Sequence, residues 1–252
     1  MIEIESVSHS IGKTPILRDI SATIPKGGLT ALIGPNGAGK STLLSLVARL
    51  ETLQTGRIRV DGLDVGTTPT GKLARHLAIQ RQDTTIATRL TVRQLVGFGR
   101  YPHSRGRPGR ADREKVETAI GALNLVPLAD RFLDTLSGGQ RQRALIAMSV
   151  AQETDYLLLD EPLNNLDMAH ARGLMEFLRD LAARHGRTVL VVLHEVNYAA
   201  AHADHIVAMK DGRIAGQGPP ETQLTAETIE RVFETPVTIT RSAGRPVVHH
   251  FG

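Results

Sequence analysis

Residues 34–42 read Gly-Pro-Asn-Gly-Ala-Gly-Lys-Ser-Thr, and no other stretch restricts the fold of this chain as strongly. The pattern G-x-x-x-x-G-K-[ST] needs a strand before it and a helix after it. Both neighbours comply. Leu29–Ile33 is short, apolar and partly β-branched, as a buried strand is, and Ser41–Leu50 has helical spacing. Gly37 and Gly39 let the backbone curl until its N–H groups face a polyanion, and the helix behind them aims its positive end at the same point. Lys40 would neutralise β- and γ-phosphate charge, and the Ser41 hydroxyl would ligate Mg²⁺. Gly34, Pro35, Asn36, Gly37, Ala38, Gly39, Lys40, Ser41 and Thr42 are thus the expected cradle for a nucleoside triphosphate.

Around this unit the chain alternates strands and helices. Ile2–Ser8 alternates apolar and polar residues, and Ile16–Ile24 and Gly56–Val60 also read as strands. Thr91–Gly99, Arg113–Leu125 and Ser137–Gln152 read as helices. Tyr156–Leu159 and Thr188–Leu193 are again buried-strand-like, with an amphipathic helix from about Met168 to His185 between them. This order implies a parallel sheet with helices packed on it and a helical lobe inserted between its two halves.

Composition narrows the function classes. No cysteine is present, which excludes disulfides, thiolate metal sites and a cysteine nucleophile. Aromatics are 3% with no Trp and the net charge is only +4, so neither a stacking platform for single strands nor a nucleic-acid partner is expected. No apolar run approaches the roughly 20 residues of a membrane span, and Met1–Ser10, with no basic flank followed by an apolar stretch, is not expected to act as a secretory signal. Arg100, Arg105, Arg107, Arg110 and Arg113 concentrate positive charge in what reads as a solvated loop, or one that meets anionic headgroups or an acidic loop of a partner.

Two further segments carry chemistry. Asp160 and Glu161 end the apolar strand 156–159, and parallel sheets present ligands at the carboxyl ends of their strands. Asp160 suits a Mg²⁺ ligand, either direct or through a bound water. Glu161 suits a general base or a positioner of attacking water, and adjacent strand residues point to opposite faces, so two separate roles are expected. Leu136-Ser137-Gly138-Gly139-Gln140 precedes a helix, with Ser137 a natural N-cap and the glycines exposing backbone N–H groups. The chain therefore has two anion grips but one complete cradle.

Over nearly its full length the chain resembles the nucleotide-binding subunit of an ABC transporter, whose signature is Leu-Ser-Gly-Gly-Gln. Five specified residues recur by chance in about one chain in several thousand. The resemblance implies an α/β fold: a P-loop NTPase (RecA-like) core over 1–85 and 153–252, with an N-terminal antiparallel β subdomain and an inserted α-helical subdomain over 86–152. It implies ATP and Mg²⁺ as cofactors, and an ATP-sandwich dimer. In that dimer Ser137, Gly138, Gly139 and Gln140 of one copy close over the γ-phosphate held by the other. Gln82 resembles the Q-loop glutamine that senses Mg²⁺, with Gln80 a near competitor. Asp167 resembles the D-loop residue at the dimer contact, and His194 the switch histidine at the γ-phosphate. Ile11 stands where the family usually stacks an aromatic ring on adenine, and His9 could assist it.

Phe98-Gly99-Arg100-Tyr101-Pro102-His103 and Glu161–Asp167 resemble the ATPases of ferric-siderophore importers, a group close to haem and vitamin B12 importers. The implied activity is Mg-dependent ATP hydrolysis that powers import. The implied partners are a second copy of the chain, two transmembrane permease subunits and, indirectly, an extracytoplasmic substrate-binding protein, with the chain peripheral at the cytoplasmic face of the inner membrane. A haem, vitamin B12 or other importer is the alternative, and a non-transport soluble ABC ATPase the alternative from another class.

Overall fold

The structure is a computed structural model that describes residues 1–82 and 88–250. The expected boundary between residues 85 and 86 lies outside the described residues. In chain order the first half has β1 (Ile2–Ile11), β2 (Thr14–Ile24), β3 (Gly28–Ile33), α1 (Lys40–Val47), β4 (Arg57–Val60), β5 (Leu63–Asp64), α2 (Thr70–Leu73), β6 (Leu77–Gln80), α3 (Val92–Phe98), α4 (Tyr101–Ser104) and α5 (Arg110–Ala122). The second half has α6 (Gly138–Ala151), β7 (Tyr156–Asp160), α7 (Met168–His185), β8 (Thr188–Val192), α8 (Val196–His202), β9 (His205–Lys210), β10 (Arg213–Gly218), α9 (Pro220–Gln223), α10 (Ala226–Phe233), β11 (Thr238–Ser242) and β12 (Arg245–His249). These elements form two compact units, Met1–Thr68 with Arg179–Gly252, and Pro69–Leu178.

In the first unit, β2, β1, β4 and β5 form an antiparallel sheet in that order. The register of β1 shifts between Ile4 and Val7, where Ser6 has a φ of 49°, so a bulge interrupts the alternation read from the sequence and carries the strand on to Ile11. β3 lies between β8 and β9 and is parallel to both, with Leu32 beside Val192 and Val207. Strand β10 adds antiparallel to β9. Leu29, Ala31, Leu32 and Ile33 are buried, as are all residues of β8, which is why these strands read as continuous apolar runs. Ala243 and Gly244, both at positive φ, make the two-residue turn of the β11–β12 hairpin.

In the second unit, β6 and β7 pair in parallel from Leu77–Tyr156 to Gln80–Leu159. Helices α3, α5 and α6 bury Leu95, Val96, Val116, Ile120, Leu145 and Ile146. Both α3 and α6 open with a reciprocal capping box, Thr91 with Gln94 and Ser137 with Gln140. Pro102 sits in the first turn of α4, where the missing N–H costs nothing.

The arginine run departs from expectation, because it spans α4 and the start of α5 and Arg100 is buried. Its Nε donates to Asp112 at 3.0 Å, and its Nη1 donates to the Ala151 carbonyl at 2.8 Å and pairs with Glu153 at 3.4 Å. The Gly109 N–H and then Arg100 hold the Asp112 carboxyl below its ordinary range. A local window shows the charge, whereas two of its partners, at 151 and 153, lie about fifty positions away. Arg100→Met should lower unfolding free energy by about 2–4 kcal/mol, since it strands a buried carbonyl and removes the counter-ion of the half-buried Asp112. Arg110→Met, which removes only an exposed pair with Glu114, should stay within about 0.5 kcal/mol. Urea unfolding of the two variants distinguishes them, and equal stabilities would contradict the burial argument.

Candidate nucleotide-binding site

The loop leaves β3 at Ile33 and enters α1 at Lys40, one residue earlier than the sequence suggested, with Gly39 as N-cap at φ 93°. Lys40 is buried, and its ammonium donates to the carbonyls of Gly34 at 2.7 Å and Pro35 at 2.9 Å, closing the loop into a ring. The Ala38 N–H donates to Pro35 O at 3.2 Å across the same ring. Asn36 and Gly37 are exposed, so the mouth is open on that side. A ring of main-chain N–H groups at the head of an eight-residue helix, with one ammonium, fits a polyphosphate.

The parallel register brings a second candidate to the same end of the same unit. Leu193 donates its N–H to Leu32 O at 3.1 Å, so His194, exposed and just past β8, leaves the sheet beside the start of the loop. Ile11 ends β1 and is 61% exposed, whereas His9 is 5% exposed on the inner side of that strand. This corrects the expectation that His9 could assist Ile11, since a buried ring cannot offer its face to a base.

The second unit gathers the other candidates. Asp160 is buried at the end of β7. Glu161 is not on the strand. It takes a left-handed φ of 50°, so the side chain direction is set by this corner rather than by strand alternation, and its carboxylate accepts from Asn164 Nδ2 at 2.7 Å. Gln82 lies on an exposed bend beyond β6, while Gln80 is buried as the last residue of that strand and donates to the Arg81 carbonyl. β6 and β7 are parallel neighbours, so Gln82 and the Asp160–Glu161 pair emerge at the same end.

Ser137 Oγ accepts from the Gln140 N–H at 3.3 Å and Gln140 Oε1 accepts from the Ser137 N–H at 3.1 Å, so each side chain caps the other residue's main chain. What α6 presents at its head is main chain. Gly139 is needed for packing as well as for bareness: a Cβ there would lie 2.9 Å from Asn165 O and 3.2 Å from Leu166 Cδ2. Gln142, one turn on, donates to Pro162 O at 3.4 Å. The segment 137–142 and the turn 161–166 are therefore one packed assembly. Asp167 caps α7, accepting from the His170 N–H at 2.8 Å and meeting His170 Nδ1 at 2.8 Å, and these contacts hold its carboxyl below the ordinary range.

Sequence reasoning did not single out Asn164, which holds Glu161, nor Gln142. Their only signals were an amide three residues after an acid and an amide on the apolar side of α6.

Residues 17–164 match the family model for the ABC transporter. The petrobactin import ATP-binding protein FatE of Bacillus anthracis is 47% identical over 247 residues, covering 98% of this chain and 99% of that protein. The ferric enterobactin transport ATP-binding protein FepC of Escherichia coli strain K12 is 41% identical over 252 residues, covering 98% and 93%. Among solved structures, a dimeric ATP-binding cassette in a post-hydrolysis state bound to ADP and Pi superposes with a TM-score of 0.78 at 25% identity, covering 87% of this chain and 98% of that one.

Proposed function

Since the chain belongs to the ABC transporter family and is an ATP-binding, ATP-hydrolysing subunit, we propose that it energises import of ferric siderophores or related iron chelates. The observation that carries the mechanism is the presence in one chain of two anion grips of different kinds. One is a glycine ring closed by Lys40, and the other is a bare, lysine-free helix head at Ser137–Gly139. A chain with both has a use for the second only if another copy brings the nucleotide to it.

In this reading the main chain of residues 34–39 and the Lys40 ammonium hold the β- and γ-phosphates. Residues 137–140 of a second copy close over the γ-phosphate, with Asp167 at the contact between copies. Ile11 covers the adenine by apolar contact. Ser41, Asp160 and Gln82 each supply an oxygen of the kind a hard cation takes, and Mg²⁺ would neutralise charge on the phosphates. Glu161, aimed by Asn164, takes the proton of the attacking water or orients it, and His194 contacts the γ-phosphate. Phe98 and Tyr101, exposed large side chains on a 560 Å³ groove of the helical unit, support docking by a membrane subunit. The chain then works as a peripheral subunit on the cytoplasmic face, beneath two permease subunits, and the extracytoplasmic binding protein acts on it only through them.

The test is co-purification with the encoded multi-span permease and reconstitution in vesicles. A ferric siderophore–loaded binding protein should stimulate ATP hydrolysis, whereas haem- or cobalamin-loaded proteins should not. Stimulation by either of the latter alone would overturn the substrate class.

A further inference from the structure

The β11–β12 hairpin is attached to the first unit in a way that bears on His194. Asn197, three residues after His194, spends both ends of its amide on one residue: Oδ1 accepts from the Val248 N–H at 2.8 Å and Nδ2 donates to Val248 O at 3.0 Å. A side-chain amide used this way stands in for a strand partner and has no rotational freedom left. At the other end of α8, Arg245 Nη1 donates to Ala203 O at 3.0 Å, and Glu221 lies 3.7 Å from the same nitrogen. β12 therefore grips α8 at its first turn and at its C-cap.

That grip matters because α8 cannot hold itself. It has seven residues and no side-chain N-cap, so its placement comes from tertiary contacts. His194 and Glu195 alone separate the sheet bond at Leu193 from the first residue of α8. A 530 Å³ cavity lined by His194, Glu195, Ile229, Phe233, Val237 and Val248 adjoins the connection. α8 begins two residues after His194, so its placement bears on the direction in which His194 leaves the sheet, and β12 holds α8, which also packs on β3.

We propose that Asn197 is a positioning residue for ATP hydrolysis: by locking β12 onto α8 it fixes the placement of His194. This rests on the reading of His194 given above. The test measures kcat and KM for ATP in the full-length chain assembled with its permease, for N197A, N197D, H194A and the H194A/N197A double variant. N197A should lose about tenfold in kcat with KM changed by less than about twofold. N197D, which keeps the acceptor for the Val248 N–H but sets a carboxylate against its carbonyl, should also lose kcat, and it carries the same test if N197A fails to fold. On the H194A background the Asn197 change should cost nothing further, because both act through one group. Unchanged kcat in the single variants, or a further loss of about tenfold on the H194A background, overturns the inference. An H194A variant as active as the wild type overturns the reading of His194 itself, whereas an inactive H194A beside fully active Asn197 variants removes only the role of Asn197.

Discussion

Glu161→Gln should lower ATP turnover by roughly a hundredfold to ten-thousandfold, the range that a positioned general base contributes. Binding of ATP should survive. Gln has the shape of Glu and retains an oxygen to accept from Asn164, so the left-handed corner at 161 and the turn behind it keep their geometry. The phosphate ring around Lys40 belongs to a different segment and is untouched. What disappears is the ability to take a proton. With ATP bound and not consumed, two copies should remain closed on Mg·ATP, visible as a dimer by light scattering that dissociates when the nucleotide is removed. Near-normal hydrolysis in this variant would take Glu161 out of the role assigned to it.

Gly34→Ala should be the most destructive single methyl in the cradle, and Gly37→Ala a mild one. Both glycines have positive φ, 149° and 80°, so both substitutions incur backbone strain of about 1–2 kcal/mol. Only one meets an obstacle. A Cβ at Gly34 would lie 2.2 Å from the carbonyl oxygen of Met209 in β9, a main-chain atom of a residue paired with Ile214 of β10, whereas nothing lies within 4 Å of a Cβ at Gly37. Relief at Gly34 requires the chain to part from β9 just past the last β3–β9 pair, Ile33 with Ala208, so the total loss should exceed about 3 kcal/mol. Gly34→Ala should thus unfold at markedly lower urea and fail to retain ATP. Gly37→Ala should fold and bind more weakly. Equal urea midpoints for the two would show that the clash is absorbed elsewhere.

The parts of this architecture that could be read in advance were those whose chemistry is local. Nine consecutive residues specify the phosphate ring, because its glycines, lysine and flanking strand and helix are adjacent in sequence. Buried strands β3, β7 and β8 announced themselves as apolar runs. The C-terminal third was less legible. β10 reads Arg-Ile-Ala-Gly-Gln-Gly, which has no strand pattern of its own and exists because β9 offers a ladder. The β11–β12 hairpin had a weak signal, alternation around Ala243-Gly244, but Pro246 argued against a strand. Glu161 was expected on strand β7 because no propensity rule places a glutamate at positive φ, and only packing of the turn on α6 puts it there. Arg100 was read as solvated because its partners at Asp112, Ala151 and Glu153 become neighbours only after α5 and α6 assemble.

The discontinuity of the first unit has a consequence for how the chain is made. The second unit, Pro69–Leu178, is contiguous in sequence and can fold as soon as it has left the ribosome. The first cannot, because β3 is completed by β8 and β9, and Leu29 pairs with Val189, 160 positions later. At about 5–20 residues per second this strand is synthesised roughly 8–30 seconds before its partner. For that interval Leu29–Ile33 is an apolar strand with two open edges, exposed to wrong pairing in the nascent protein.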